Sequence, residues 1–208
     1  MILKDRQKEK RVEAEPAAKG GSVHDYDSKM NCFQAQGFLQ WSKIRKLYKK
    51  AFPRAERKPL SIIRSMQKSL KTDVWFFEKD GRFAGFASTI NGDGLILLDY
   101  LAVDTACRGM GIGSEILQTI RRQYTGKGVF VEIERVKEGA DASDHRWKRK
   151  QFYIANGMSE LDVAAKVFGV EMELMGWDCH LDFNAYQTFY RDHYSEFAAK
   201  NLVELSAE

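Results

Sequence analysis

Several signals that narrow function quickly are missing or scarce in this chain. Long apolar runs are absent: no stretch of the 208 residues approaches the ~18 apolar residues of a membrane-spanning helix. A helical span is therefore excluded, and no membrane partner is expected. The N-terminus is polar and charged, without the apolar region of a secretory signal. Cysteine is scarce and odd in number, with Cys32, Cys107 and Cys179 widely spaced and no Cys-x-x-Cys. That pattern indicates neither a disulfide framework nor a thiolate zinc site, and reduced thiols in a cytoplasm are the simplest reading. The four histidines lie at no metal-ligand spacing, so no metal is expected. A dominant charge is lacking too. Thirty-three basic residues face 29 acidic ones, for a net charge of +4. The densest basic clusters, Arg45–Lys50 and Arg146–Lys150, are short, so nucleic acid is not an expected partner.

What is present is enough for a core. The chain is 44% hydrophobic and 12% aromatic, and its length fits one domain of ordinary size with room for tails. Residues 1–29 have no sustained apolar pattern and carry a Gly20-Gly21 break, which predicts a flexible tail. From Phe38, apolar residues recur at helical spacing (Trp41, Ile44, Tyr48, Ala51) until Pro53 stops the helix. Pro59 opens a second helix with a stripe of Ile62, Ile63, Met66 and Leu70. Thr72–Lys79 and Arg82–Ile90 read as strands joined at Asp80-Gly81. A strand at Leu95–Val103, a helix at Ile112–Tyr124, a strand at Val129–Val136 and a helix at Asp144–Asn156 follow. Two strands, Leu161–Val167 and Val170–Trp177, precede a last helix over Phe183–Lys200, whose Tyr186, Phe189, Tyr190 and Phe197 predict docking on the domain. The order gives an α/β class with a mixed sheet and helices on both faces. The strand–helix–strand unit in its middle makes a parallel crossover.

The segment that carries most information joins the first half of that unit. An apolar strand ends at Val103; Arg108-Gly109-Met110-Gly111-Ile112-Gly113-Ser114 follows, and then a helix. Helix N-termini leave N–H groups unpaired and carry partial positive charge, and glycines let a backbone approach an anion closely. A phosphorylated ligand is the expected occupant. No Lys follows Gly113, which sets a P-loop aside. A dinucleotide fingerprint matches Gly109 and Gly111 and finds Glu132 and Glu134 at about the right distance. It fails at Ser114 and at the five-residue gap after Val103, and stands as the second reading of the loop.

Arg108-x-x-Gly111-x-Gly113 resembles the acyl-CoA pyrophosphate loop of the GNAT superfamily of N-acyltransferases, and Leu101-Ala102-Val103 resembles its pantetheine-binding strand. Downstream, Phe152-Tyr153-Ile154-Ala155-Asn156-Gly157-Met158 resembles the Phe-Tyr-x-x-x-Gly-Phe signature of that superfamily, with Met158 in place of the closing Phe. Order and spacing of the two pieces match as well. The resemblance implies a three-layer fold with a central, mostly antiparallel sheet, one parallel strand pair and flanking helices, spanning residues 30–177. Residues 178–208 are then a helical extension packed on that domain. It also implies acetyl-CoA as co-substrate, held by Leu101, Ala102, Val103, Arg108, Gly109, Met110, Gly111, Ile112, Gly113 and Ser114, and transfer of an acetyl group to a primary amine of a small molecule or peptide. An acetyl-CoA-binding module without catalysis is the alternative. A dimer is common in the superfamily.

By the same resemblance Tyr153 is the general acid, since a phenol of pKa ~10 can protonate a thiolate leaving group. Glu132 is the candidate base. It interrupts an apolar strand of Val129, Phe130, Val131 and Ile133, where a carboxylate is costly unless paired or functional. Glu134 lies on the same face and is the second candidate; Asp99 in the neighbouring strand is the third. Pairing of both glutamates with Arg146 or Arg149 is the structural alternative. Glu56-Arg57-Lys58-Pro59 falls in the region that forms the acceptor side in this superfamily, where Glu56 meets either a cationic amine or solvent. The basic cluster at Arg146–Lys150 faces either the CoA 3′-phosphate or water.

Overall fold

The computed structural model describes residues 30–205. The tail expected over residues 1–29 lies outside the described residues. Eight strands form one sheet in the order β1-β2-β3-β4-β5-β7-β6-β8. They are β1 (Met30–Gln34), β2 (Thr72–Lys79), β3 (Arg82–Asn91), β4 (Leu95–Val103), β5 (Gly128–Glu134), β6 (Ser159–Val167), β7 (Val170–Trp177) and β8 (Leu202–Glu204). Every neighbouring pair is antiparallel except β4–β5. The helices are α1 (Gly37–Ala51), α2 (Leu60–Lys68), α3 (Ile112–Gln123), α4 (His145–Ala155), α5 (Phe183–His193) and α6 (Glu196–Lys200). Among the described residues, no helix is long and apolar enough to cross a membrane.

The layers follow from strand alternation. Ile96, Leu98, Val129, Val131 and Ile133 turn to one face and pack with Ile112, Ile116, Leu117 and Ile120 of α3 and Tyr153 of α4. Leu97 and Phe130 turn to the other, where Tyr186, Phe189 and Tyr190 of α5 cover them. On that second face α1 and α2 cover β2–β4 with Trp41, Ile44, Leu47, Tyr48 and Ile63. At roughly 25 cal/mol per Å² of apolar surface removed from water, this two-sided burial is the main favourable contribution to the fold. The β2–β3 turn takes left-handed backbone at both Asp80 and Gly81, the geometry whose twist matches a two-residue hairpin.

The last helix differs from expectation. Phe183–Lys200 is not continuous: α5 ends at His193, and Ser195 starts α6 by accepting a hydrogen bond from the Ala198 amide at 3.1 Å. A serine offered this cap competes with helix continuation. Strands β1 and β8, too short to carry a pattern, were not expected; they close the two edges of the sheet.

Two irregularities in β4 prepare the site. In the β3–β4 register Ser88 faces Tyr100 and Thr89 faces Leu98, so Asp99 is the extra residue of a bulge. The bulge puts Asp99 and Tyr100 on the same face as α1, α2 and α5. On its other side β4 pairs with β5 only at Leu95–Leu97 against Gly128–Phe130. Beyond these three pairs the strands part.

Candidate active site

A cleft of about 780 Å³ opens where β4 and β5 separate. One wall is the stretch of β4 no longer paired to β5, Leu98 to Val103; the other is β5 at Val131, Glu132 and Glu134. The mouth is the loop from Cys107 to Ser114, and Phe152 and Tyr153 of α4 enter from the α3 side. Strand hydrogen bonding alternates side to side, so past Leu97 every second residue of β4 turns its N–H and C=O into this cleft.

The loop has the geometry of an anion site. Gly109 and Gly111 take φ of +77° and +75°, where an L side chain would be strained, and Gly111 is the N-cap of α3. None of the amides from Gly109 to Ser114 meets a backbone acceptor among the described residues. The dipole of α3 adds partial positive charge at this end, where Gly109 and Gly111 to Ser114 line the cleft mouth. Gly113 is needed for a different reason: a Cβ there would sit 3.2 Å from the Phe152 ring. Phe152 thus packs α4 against the first turn of α3. Arg108 folds back, its Nε donating to the Val103 carbonyl at 3.4 Å, and Met110 stands exposed at the loop tip. The residue set fits a pyrophosphate, which needs several N–H donors converging on a surface without side chains.

Tyr153 is buried to 7% exposure, lines the cleft, and its hydroxyl has no hydrogen-bond partner among the described residues. Burial pushes the phenol up to about 12, against a smaller opposing effect from Arg149. It therefore holds its proton throughout the neutral range.

Glu132 lies across the cleft, held by tyrosines rather than by Arg146 or Arg149. Tyr186 and Tyr190, one turn apart on α5, donate to its Oε1 at 2.5 and 2.6 Å. Burial raises the carboxyl above its ordinary 4.5; the two hydroxyls, and Lys58 at longer range, oppose this. Glu134 sits nearer the rim, 3.9 Å from the imidazole of His145.

Asp99 accepts from Lys58 Nζ at 2.7 Å and from the Tyr194 hydroxyl at 3.3 Å; its Oδ2 is buried without a partner among the described residues. Lys58 also donates to the Tyr194 hydroxyl at 2.7 Å and lies 4.2 Å from the centre of that ring. The loop bearing Lys58 is itself fixed. Its amide donates to the Tyr100 hydroxyl at 3.2 Å and its carbonyl accepts from Tyr48 at 3.1 Å, while Tyr100 donates to the Glu56 carbonyl at 2.8 Å. Burial, reinforced by the nearby carboxylates, holds Tyr186, Tyr190 and Tyr194 well above the ordinary phenol value, so all three are neutral donors.

All ten residues expected at the loop and the β4 edge fall in the β4–α3 segment that forms the mouth and one wall of the cleft, and the cleft brings Glu132, Glu134, Asp99 and Tyr153 together. Of the basic cluster only Arg149, with its neighbour His145, reaches it. Arg146 pairs with Asp144 at 2.6 Å, and Lys150 with Glu160 and Glu173 at 2.8 and 2.9 Å. Sequence reasoning missed Lys58 and Tyr194. It saw Tyr186 and Tyr190 only as apolar packing, although tyrosine rather than phenylalanine at 186, 190 and 194 signals hydroxyls that need partners.

A family model described as the acetyltransferase (GNAT) family matches residues 41–149, more than half of the chain. No curated protein matches. Among solved structures, a GNAT-family protein from Bacteroides thetaiotaomicron superposes with a TM-score of 0.66 at 16% identity, over 82% of this chain and 98% of that one. The ribosomal-protein-S18-alanine N-acetyltransferase from Escherichia coli gives 0.54 at 14% identity, over 74% and 96%. A Bacillus subtilis acetyltransferase in complex with CoA gives 0.55 at 10% identity, over 73% and 99%. At these identities the likeness is one of fold, and it agrees with the mixed sheet and its one parallel pair. The family model, lying over the strand–loop–helix that builds the cleft, decides the rest: the chain belongs to the GNAT family of acetyltransferases and is an acyltransferase.

Proposed function

We propose that the protein transfers an acetyl group from acetyl-CoA to a primary amine by direct attack in a ternary complex. The observation that carries this reading is the cleft between β4 and β5. It presents free amides at the α3 end, an open strand edge along one wall, and a neutral phenol and a raised carboxyl further in. A solved structure of similar fold is described as a CoA complex, which agrees with the loop geometry.

Acetyl-CoA supplies the activated acyl group as a thioester. The amides from Gly109 to Ser114 hold its pyrophosphate, each worth about 0.3–1 kcal/mol, so that affinity is the sum of several. The open edge of β4 at Leu101 to Val103 aligns the chain between phosphate and sulfur and offers an N–H to the acyl carbonyl oxygen, where charge develops during attack. Glu132 takes the proton that the attacking nitrogen must lose; a carboxyl raised by burial is better matched to this task than an ordinary one. The C–N bond forms, the C–S bond breaks, and Tyr153 gives its proton to the departing sulfur. Tyr186 and Tyr190 do not touch the reacting atoms; they fix Glu132.

The test is calorimetric titration with acetyl-CoA, CoA and NADH, followed by thiol release over a panel of amines. Micromolar binding of both CoA species without binding of NADH, then amine-dependent thiol release, is expected. Failure of either CoA species to bind overturns the reading at its base. Binding without thiol release from any amine leaves an acetyl-CoA-binding module in its place.

A further inference from the structure

A second cavity, of about 940 Å³, lies between α1 and α2. The loop joining these helices separates it from the cleft. Pro53 and Glu56 face the cleft; Arg54, Arg57 and Pro59 face the groove. Lys58 borders the groove while its ammonium reaches Asp99 in the cleft, so the two cavities meet at this residue.

The groove is cationic to a degree the chain as a whole is not. Arg45, Lys49, Arg54, Arg57, Lys58 and Arg64 line it, and no Asp or Glu does. Of these six, only Lys58 has a carboxylate partner among the described residues. Elsewhere some cations do have carboxylate partners, such as Lys79 with Glu115, Lys150 with Glu160 and Glu173, and Arg191 with Glu196; what sets the groove apart is six cations gathered on one surface with no acidic residue among its lining. With 33 basic and 29 acidic residues in the chain, this local excess is a placement, not a consequence of composition. Arg57 adds a second sign, since its Nε is buried and has no hydrogen-bond partner among the described residues. A buried guanidinium N–H without an acceptor is costly, and an incoming oxygen anion relieves it. The remaining surfaces suit a compact ligand. Trp41 forms the floor with the Arg64 guanidinium 5.0 Å above its ring, and the Ser42 and Ser61 hydroxyls stand at the walls. Gathered cations raise the local concentration of anions, and arginine forks match carboxylate and phosphate oxygens two at a time. A nucleic-acid backbone would instead ask for a stripe of cations along a surface.

We propose that the α1–α2 groove anchors a carboxylate or phosphate carried by the acceptor, so that the acceptor class of this transferase is an amine with an anionic group. The amine end of this assignment rests on the acyl-transfer reading above; the anion site does not. Lys58, paired with Asp99, marks where the ligand passes from groove to cleft.

The test uses matched pairs, O-phosphoethanolamine against ethanolamine and glycine against methylamine, titrated calorimetrically into the protein saturated with CoA. Saturation blocks the phosphate loop, so any anion binding is read elsewhere. The member bearing the anionic group in at least one pair binds roughly tenfold or more tightly than the partner without it, the difference expected of a charge-assisted hydrogen bond. Which pair shows it separates phosphate from carboxylate. In the double variant Arg45→Gln, Arg54→Gln the difference disappears; in Arg45→Lys, Arg54→Lys it persists in part. CoA affinity reports that each variant is folded. Equal binding of amines with and without the anionic group, absence of binding by any of them, or a difference that survives the glutamine variant overturns the proposal. Charge discrimination without thiol release keeps the anchor and removes the acyl-transfer reading. Thiol release from amines lacking an anionic group, without discrimination between the members of a pair, does the reverse.

Discussion

Tyr190 donates its hydroxyl to Glu132 Oε1 at 2.6 Å, and Tyr186, one turn before it on α5, donates to the same oxygen. One oxygen of the carboxylate is thereby saturated by a helix that lies outside the strand–loop–helix unit, and the other is left without a protein partner among the described residues. That helix thus reaches the cleft through Glu132, and Tyr194 just beyond its end reaches it through Asp99.

Replacing Glu132 by Gln separates activity from stability. Turnover falls by about 10²-fold or more, the contribution of a positioned base. Stability moves the other way. The folded carboxyl has its pKa raised above 4.5, so the folded state binds the proton more readily than the unfolded chain. That preference stabilises the protein only at low pH and is lost as pH rises through the folded pKa. Denaturant midpoints of Glu132→Gln therefore equal or exceed those of the parent at neutral pH, and the gain shrinks toward pH 4.5.

The pH profile of kcat/KM follows from the same groups. Its rising limb lies above the ordinary carboxylate value of 4.5 and is absent in Glu132→Gln. Tyr153, held up to about 12, keeps its proton across the neutral range and imposes no falling limb there. Tyr153→Phe lowers kcat by about 10²–10⁴-fold with little change in the KM for acetyl-CoA, as expected of a proton donor acting in the transition state. Full turnover of this variant at every pH would remove Tyr153 from the mechanism.

Tyr186→Phe and Tyr190→Phe each remove one hydroxyl that favours the charged form of Glu132. The rising limb therefore shifts to higher pH in either variant, further in the double variant, while kcat at alkaline pH recovers. Each loses about 1 kcal/mol of stability, the usual net worth of one hydrogen bond. A tyrosine that served only as packing would leave the limb in place.

Gly111→Ala places a Cβ at φ +75°, with open space around it. The cost is backbone strain, about 1–2 kcal/mol in chemical denaturation. Titration shows weaker CoA binding, because the strained N-cap no longer directs the first amides of α3.

The β4–α3 unit was legible because glycine and arginine in a fixed pattern have few uses, and the three-layer class because apolar periodicity alternated cleanly. Tyr153 and Glu132 stood out for related reasons: one lies in a second motif, the other is a charge in an apolar strand. The bulge at Asp99 was not legible, since Leu-Leu-Asp-Tyr-Leu alternates adequately without one and only the register with β3 exposes it. Nor was the meeting of Lys58 with Tyr194, 136 positions apart, each unremarkable within its own segment. The split of the last helix was hidden because Ser195 becomes a cap only when the chain turns there.

Because β4 and β5 share just three paired positions, the eight strands are two four-stranded halves joined at a short seam. A molecule lying in the gap along the open edge of β4 acts as a tie between those halves. Whatever free energy it gains from both walls is returned to the folded protein, about 2.7 kcal/mol at a hundredfold excess over its dissociation constant. The seam is then where the empty protein opens first and where the occupied one is most reinforced, so that hydrogen exchange at Leu95–Leu97 and Gly128–Phe130 reports occupancy of a cleft several residues away.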